Sequence, residues 1–302
     1  HSLDRRQRQM CIRDSNEIIE GRGTENNGVF LDISHVDKDI ILEKLPRMYR
    51  QFMESQMLDI SKSPMEVAPT AHYTMGGVVV DSKTHSTNVK GLYAAGECTS
   101  GVHGANRLGG NSLAEILIFG KIAGSEASKF SENLNFQRRN KVVISDANKE
   151  LDILTSNGKE LARPLQRAVR DIMWEYCGVI RSENGLKKGL SELMRIKKAS
   201  KKIDVRPSAE GFIDLALAID LLGSIDSAIA TILCALERKE SRGAHQRKDF
   251  ESLDEKLKLN FIIEMVDGEQ IVTKSKIKPL PKELVEPMKN FRNIDVDGRL
   301  LE

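Results

Sequence analysis

The segment 72–113 carries the residue types that could bind a small anionic molecule. The histidines His72 and His103 and the arginine Arg107 lie among eight glycines, and Glu97 ends a short apolar run between them. Glycine lets the backbone approach a ligand closely, and charged groups in loops often line binding sites. The spacing therefore indicates a small-molecule site in this segment.

Arg107 is the group best suited to hold a carboxylate, because a guanidinium presents a rigid fork of donors that matches a carboxylate in bidentate fashion. His72 and His103 could supply donors at the other end of a substrate with two carboxylates. The alternative is structural: His72 would begin a strand, and Arg107 would make an ion pair within the fold. The residue types alone leave both interpretations open.

Glu97 and the start of a predicted helix over residues 112–130 suit a nucleotide cofactor. A carboxylate at the end of a strand can accept hydrogen bonds from ribose or ribityl hydroxyls, although a solvated loop carboxylate is the alternative. Ser112 and Glu115, with Asn111 before them, predict a capping box. The backbone N–H groups and the dipole at a helix N-terminus favour an anionic ligand, but a capping box alone indicates only where a helix begins.

Composition excludes several classes of protein. The 302-residue chain has a net charge of +2 and is 40% hydrophobic and 30% charged, as in globular proteins of about two domains. This charge does not indicate a nucleic-acid partner. The most apolar segment, 212–236, is interrupted by polar residues and is interpreted as core helices. The four cysteines lack metal-binding spacing, so no metal site is predicted and a reduced, cytoplasmic protein is expected.

Residues 1–15 differ from the rest of the chain. They are rich in arginine, show little helical or strand periodicity, and resemble the translated adapter sequence seen at the ends of metagenomic gene fragments. We expect them to be a non-native leader, and a genuine basic arm is the alternative.

Hydrophobic periodicity predicts the regular elements. Strands are expected at 29–33, 67–73, 78–81 and 91–95, and helices at 40–57 and in the middle of 131–160. Four further helices are predicted at 165–179, 186–196, 212–222 and 225–236. Their apolar stripes would pack as an antiparallel bundle. Asp267 and Gly268, between two β-rich runs, predict a hairpin.

Three segments resemble the flavoprotein subunits of the succinate dehydrogenase/fumarate reductase family in order and spacing: HYTMGG at 72–77, GLYAAGE at 91–97 and HGANRLGGNSL at 103–113. The resemblance implies an α/β fold, with the C-terminal half of a FAD-binding Rossmann-like domain, a capping-domain remnant, a helical-bundle domain and a small C-terminal mixed region. The implied divisions are the leader (1–15), the capping-domain remnant (16–65), the FAD-binding part (66–130), the helical domain (131–240) and the C-terminal region with the hairpin (241–302).

The resemblance also implies roles for particular residues. Arg107 and His72 match residues that bind the dicarboxylate substrate, and His103 either binds the substrate or supports a residue that does. The residues matched to contacts with FAD are Glu97, Gly109, Gly110, Asn111, Ser112 and Leu113. The segment SRGAH at 241–245 resembles another family segment; without the resemblance it would be interpreted as a solvated turn.

Some family features are not found in the sequence. A dinucleotide-binding fold needs a strand, then G-x-G-x-x-G, then a helix, and the nearest match, which begins at Gly21, lacks the third glycine. By register, the family's proton-donor arginine would fall near Gln7, so no catalytic residue is assigned. The chain is expected to cover the C-terminal half of the family pattern and to bind FAD weakly by itself.

The implied reaction is hydride transfer between FAD and succinate or fumarate, with the direction left open. The implied partners are membrane-anchor subunits and an iron–sulfur subunit, which would place the protein at the inner face of the cell membrane. L-Aspartate oxidase is one alternative, and Met75 and the Gly109–Gly110 pair argue against it. An inactive half-domain is the other.

Overall fold

The computed structural model describes residues 2–134, 140–155, 158–205, 213–279 and 283. The chain divides into two compact units, and the boundary falls between His72 and Tyr73. The predicted start of a helix at Phe212 and the end of the C-terminal region, from residue 280 onward except residue 283, lie outside the described residues.

The first unit begins with helix α1 (Ser2–Ile19) and contains an antiparallel pair of short strands, β1 (Val29–Leu31) and β2 (Met65–Val67). Its small core is built on Ile41, Ile60 and Met65. Helix α1 includes residues 2–15, a stretch for which periodicity predicted no regular structure. The segment contains no glycine or proline, and its Leu, Arg, Gln and Met residues favour a helix even without an amphipathic pattern.

The single helix predicted over residues 40–57 is wrong, because two helices occupy this stretch: α2 (Lys38–Lys44) and α3 (Pro46–Gln56). Pro46 is the cause. Proline lacks a backbone N–H and disfavours the helical conformation in the residue before it, and Leu45 has φ −130°. Proline is well tolerated in the first turn of a helix, so α3 starts at Pro46.

In the second unit, residues 73–110 run mostly as loops. Three predicted strands do not form over their predicted lengths: 67–73, 78–81 and 91–95. Among the described residues, the first is represented only by the end of β2. The second and third are represented by isolated bridges, between Val78 and Thr99 and between Ser86 and Tyr93. A strand needs a partner along its whole length, and Val79 and Leu92 remain about half exposed, 51% each. The following helix, α4 (Asn111–Glu132), confirms the helix predicted at 112–130.

The helical region of the second unit confirms the predicted bundle in its main part. After α5 (Lys141–Leu154), the helices α6 (Ala162–Cys177), α7 (Glu183–Ser200) and α8 (Ile213–Glu237) pack on one another around a common apolar core. The three helices approach one another closely at Gly189, where an added methyl group would meet side chains of α6 and α8.

The prediction of two helices over 212–236 is wrong, since α8 is continuous across Gly223 and Ser224. An isolated glycine weakens a helix without ending it, and the Ser224 hydroxyl donates to the Asp220 carbonyl within the same helix. The seven buried residues of α8 recur at intervals of three or four, apart from the adjacent pair Ala228 and Ile229, and face α6 and α7: Ala218, Leu221, Ile225, Ala228, Ile229, Ile232 and Ala235.

Helix α8 is also long and apolar enough to cross a membrane by length and composition. Its buried face nevertheless lies against α6 and α7 in the same core cluster. That packing agrees with the sequence-based interpretation of this segment as a core helix of the bundle.

Two small sheets complete the second unit. Strand β3 (Ile180–Arg181) pairs in parallel with β4 (Gln246–Arg247). Strands β5 (Leu259–Val266) and β6 (Glu269–Lys276) form the predicted hairpin, in which Val266 pairs with Glu269. Asp267 and Gly268 make the turn with φ +50° and +82°, the left-handed conformation that a two-residue hairpin turn requires. The hairpin is confirmed.

Candidate functional site

The candidate site of the second unit is organised around a buried carboxylate on α4. Glu115 Oε2 accepts a hydrogen bond from the Tyr73 hydroxyl at 2.5 Å and lies 2.7 Å from His103 Nε2. The Tyr73 hydroxyl is also 3.2 Å from the same imidazole nitrogen. The side chains of Glu115 and His103 are 2% and 7% exposed, so the three groups form a nearly closed network.

The electrostatics of this network keep Glu115 ionised. Burial by itself would raise the pKa of Glu115, but hydrogen bonds from Tyr73 and His103 outweigh it and the net shift of the pKa is downward. Burial, followed by the hydrogen bond to Glu115, raises the pKa of Tyr73 to about 12. Tyr73 therefore stays protonated and donates to the carboxylate.

Arg107 lies over the Tyr73 ring. Its guanidinium carbon is 4.5 Å from the ring centroid, a cation–π distance. Nη1 donates to the Leu108 carbonyl at 3.2 Å, and Nε is buried without a hydrogen-bond partner among the described residues. No ion pair between Arg107 and a carboxylate occurs in the described part of the chain, so the interpretation of Arg107 as half of a structural ion pair finds no support there.

Glu97 lies next to a close backbone contact between the stretches that follow two of the motif segments. The N–H of Val78 donates to the Cys98 carbonyl at 2.8 Å, and the N–H of Thr74 donates to Glu97 Oε1, also at 2.8 Å. Gly77 permits this approach, because a methyl group at its Cα would overlap the Cys98 carbonyl. The Glu97 side chain is otherwise exposed at this point.

The N-terminus of α4 differs from the prediction. The N-cap residue is Gly110, with φ +82°, and no side chain caps the first turn. The predicted capping box of Ser112 and Glu115 is wrong, because Glu115 turns inward to Tyr73 and His103. Asn111, Ser112 and Leu113 form the first turn, as expected, and space beside Gly110 is open.

His72 is the last residue of the first unit and is exposed, in a stretch without regular secondary structure. The second unit brings the other predicted residues onto one short segment and the adjoining end of α4: Glu97, His103, Arg107, Gly109, Gly110, Asn111, Ser112 and Leu113. Among the described residues, no cluster of three potential metal ligands occurs.

Sequence reasoning missed Tyr73 and the true role of Glu115. A signal for Glu115 was present, because it is a lone charge within the apolar run LAEILI, and a buried carboxylate needs partners. Nothing local in the sequence indicates that Tyr73 and His103 are those partners.

The segment 241–245 contacts the candidate site and is not a solvated turn. The N–H of Ala244 donates to the Ala105 carbonyl at 2.9 Å, two residues before Arg107. Glu240, which is fully buried, pairs with Arg238 and Arg242 at 2.6 and 2.8 Å and anchors this segment.

Two family models match parts of this chain. The family described as "FAD binding domain" matches residues 2–113, and the one described as "Fumarate reductase flavoprotein C-term" matches residues 166–290. The first match includes most of the segment 1–15, whose non-native origin stays a prediction.

Curated relatives and solved structures support the same family. An uncharacterised FAD-dependent oxidoreductase of Methanocaldococcus jannaschii is 43% identical over 82% of this chain and 44% of its own length. A fumarate reductase (CoM/CoB) subunit of Methanothermobacter marburgensis is 40% identical over 78% of this chain and 42% of its own length.

Among structures, Sdh1 of Mycobacterium smegmatis in complex with UQ1 has a TM-score of 0.84 and 29% identity, covering 97% of this chain and 50% of that one. A quinol–fumarate reductase with menaquinol molecules has a TM-score of 0.78 and 32% identity, covering 88% and 48%.

The matched FAD-binding domain places the chain in the class of FAD-binding flavoproteins. The chain belongs to the succinate dehydrogenase/fumarate reductase flavoprotein family. It spans about 44% and 42% of the length of the two curated relatives named above. The family assignment, the cofactor FAD and the mixed fold with a helical region, all predicted from sequence, are confirmed.

The residues present fit the cofactor. Glu97 offers an exposed carboxylate for ribityl or ribose hydroxyls, and the uncapped first turn of α4 offers backbone N–H groups and the positive end of the helix dipole. Open space beside Gly104 and Gly110 leaves room for a ligand at this surface. These residues would hold part of the FAD.

Proposed function

We propose that this chain is part of a flavoprotein subunit that interconverts succinate and fumarate. The observation that carries the proposal is Arg107. Its guanidinium is held against the Tyr73 ring, its Nε is buried without a hydrogen-bond partner, and no carboxylate pairs with it among the described residues. A cation held in this way is suited to a carboxylate ligand.

Arg107 would bind one carboxylate of the substrate through the fork of its guanidinium. The guanidinium carbon lies 4.5 Å from the centroid of the Tyr73 ring, and a ligand carboxylate would approach along the guanidinium plane, where the N–H groups point. By resemblance to the family, His72 would donate to the other end of the dicarboxylate.

FAD, when bound, accepts or donates the hydride. Glu97 would hold hydroxyls of the cofactor, and the first turn of α4, at Ser112 and Leu113, would favour negative charge on the flavin and so its reduced form. We assign the proton transfer to no described residue of this chain. The physiological direction is left open.

The family resemblance extends the proposal to partners. An iron–sulfur subunit would exchange electrons with the flavin, and membrane-anchor subunits would hold the complex at the inner, cytoplasmic face of the membrane. The quinol–fumarate reductase and the Sdh1 complex support this, because the first was solved with menaquinol and the second with UQ1, both quinone-type molecules.

L-Aspartate oxidase is the second candidate. It shares the HYT-x-GG and HGANR segments, but Met75 and the Gly109–Gly110 pair favour the dehydrogenase/reductase side, as does the long region after His245. The 302-residue chain by itself would bind FAD weakly, because its sequence holds no G-x-G-x-x-G motif for the pyrophosphate.

The test uses the whole flavoprotein subunit, with this chain as its C-terminal part. It is assayed for succinate oxidation with an artificial acceptor, for fumarate reduction with a reduced dye, and for peroxide release from L-aspartate. Arg107→Lys keeps the charge but loses the fork, and should lower turnover about a hundredfold or more while leaving flavin bound.

The matched control is Arg195→Lys, at a side chain that is 77% exposed and far from the site in sequence, and it should be neutral. Activity on L-aspartate without activity on succinate or fumarate would replace the proposal with the oxidase. Normal turnover in Arg107→Lys would remove Arg107 from the site.

A further inference from the structure

Glu115 is buried on α4 and yet charged, which is costly unless its partners repay the loss of solvation. Its side chain is 2% exposed, and one oxygen, Oε2, accepts hydrogen bonds from both Tyr73 and His103. The residues around it on the helix, Ile116, Leu117 and Ile118, are apolar. An apolar side chain at position 115 would suit the helix equally well, so the carboxylate needs an explanation in the groups that it holds.

The first group that it holds is the phenol of Tyr73. The hydroxyl donates to Glu115, and the face of the same ring lies 4.5 Å from the guanidinium carbon of Arg107. A tyrosine ring fixed at its hydroxyl cannot swing freely about its side-chain bonds. The direction of the ring, and with it the surface on which Arg107 rests, is therefore set by Glu115.

The second group is His103. With Nε2 only 2.7 Å from Glu115, this nitrogen carries the hydrogen that it donates to the carboxylate. Its Nε2 is thereby occupied by Glu115, and the His103 side chain is only 7% exposed. The geometry suits His103 to hold the loop that carries Arg107, and not to bind the dicarboxylate directly.

We propose that Glu115 is a positioning residue of the dicarboxylate site, which orients Arg107 through the Tyr73 ring and holds the Arg107 loop through His103. The dicarboxylate is taken from the proposed function, and the positioning of Arg107 itself does not depend on it. Glu115 touches neither substrate nor cofactor in this role; it acts through its two partners.

The first experiment follows Arg107 itself in the 302-residue chain, without FAD. The chain is labelled with ¹⁵N-arginine, and the Nε–Hε resonance of Arg107 is identified by its loss in Arg107→Lys. The ring current of Tyr73 shifts this resonance while the guanidinium lies on the ring. Glu115→Leu keeps an apolar helix and should move or broaden the resonance, whereas Glu132→Gln, an exposed site on the same helix, should not.

The second experiment measures dicarboxylate affinity in the whole flavoprotein by titrating malonate and following the flavin absorbance. Glu115→Leu should weaken malonate binding about tenfold or more, since an acceptor that orients Tyr73 is lost. Glu115→Gln keeps an acceptor oxygen and should retain affinity within about threefold of the natural protein.

Tyr73→Phe leaves the ring but removes its tether, and it should weaken malonate binding by an amount similar to Glu115→Leu. Because both changes break one network, their combination should cost less than the product of the two separate losses. If the double variant loses malonate affinity by the full product of the two separate losses, Glu115 does not act through Tyr73, and the proposal is overturned.

The remaining outcomes are also decisive. An unmoved Arg107 resonance, or unchanged malonate affinity in a folded Glu115→Leu protein, would overturn the proposal. If Glu115→Leu does not fold, Tyr73→Phe decides, since unchanged affinity in that variant would also overturn it. Should the whole protein act on neither succinate nor fumarate, the proposed function fails, while the resonance of Arg107 in the 302-residue chain still tests Glu115.

Discussion

The carbonyl oxygen of Ala105 accepts a 2.9 Å hydrogen bond from the backbone N–H of Ala244. This bond joins the loop that carries Arg107 to the segment that follows the helical bundle. Gly243 makes the approach possible, because it has φ +60° and an added methyl group would overlap the backbone of Ala105. Two regions that are distant in the sequence thus meet at the candidate site.

Gly243→Ala should therefore destabilise the protein by more than its backbone conformation alone explains. The left-handed conformation costs an alanine roughly 1–2 kcal/mol, and the overlap with Ala105 should add about as much again. Urea unfolding at pH 7 measures the difference. Gly268→Ala is the matched control, because Gly268 has φ +82° but nothing within 4 Å of the added methyl group. Equal losses in the two variants would contradict a close approach at Gly243.

His245 should make the stability of the protein depend on pH in a defined window. Burial, and then the nearby Arg181, lower the pKa of His245 from 6.5 to about 4. Arg181 donates to Nδ1 at 2.9 Å, and Nε2 lies 3.1 Å from the Arg238 carbonyl, so the ring is held neutral. The unfolded chain binds a proton at higher pH than the folded one, so stability is full above about pH 6.5 and falls as the pH drops toward about 4.

The fall should amount to on the order of 2–3 kcal/mol across this window. Unfolding by urea at a series of pH values gives the slope. His245→Gln cannot titrate, so its stability should change less between pH 6.5 and 4.5 than that of the natural protein. Parallel slopes in the two proteins would remove His245 as the source.

Asp249→Asn should be strongly destabilising, because it leaves the buried guanidinium of Arg247 without its counter-charge. The side chain of Arg247 is 0% exposed, and Nε and Nη2 each contact Asp249 at 2.7 Å. Breaking such a pair costs about 3 kcal/mol or more. The exposed pair of Asp146 and Lys149 is the control, and Asp146→Asn should change the free energy of unfolding by less than about 1 kcal/mol.

The hydrogen bond to Arg247 lowers the pKa of Asp249 to about 2, against opposing burial. Its contribution is therefore complete above the unfolded value near 3.8 and is lost as the pH falls from there toward 2. This window lies below that of His245, so one acid titration of stability should separate the two groups. Asp249→Asn should remove only the loss of stability in the lower pH window.

Gly223→Ala tests the continuity of α8. The glycine lies in the interior of the helix, with nothing within 4 Å of an added methyl group. The substitution should stabilise the protein by about 0.5–1 kcal/mol, since alanine favours a helix more than glycine does. A loss of stability would show that the chain turns at this point, as the two-helix prediction required.

Some features follow from the sequence because their causes are local. The Asp267–Gly268 turn needs only two residues that adopt positive φ between β-rich runs. The bundle helices need only apolar residues at helical spacing, and the periods that predicted α6 and α7 are those of their buried faces. The segments 72–77, 91–97 and 103–113 carry the family resemblance in their amino-acid sequence, and the comparisons confirm the family.

Other features depend on groups that are distant in the sequence, and no local pattern contains them. Ser112 and Glu115 have the spacing of a capping box, but Tyr73 and His103 offer the carboxylate two hydrogen bonds in a buried site, and these decide its direction. Pro46 splits a helix whose apolar period is unbroken, and the packing of α8 on α6 and α7 joins two helices that the sequence separates.

The same division holds for the site as a whole. The sequence by itself determined which residue types could bind a dicarboxylate and FAD, because a guanidinium, a carboxylate and glycines each have a fixed chemistry. Only the tertiary structure decided that Arg107 rests on Tyr73, that Glu115 holds that ring, and that Ala244 meets Ala105. Such contacts join residues whose separation along the chain says nothing about their distance in space, so they exist only once the chain has packed.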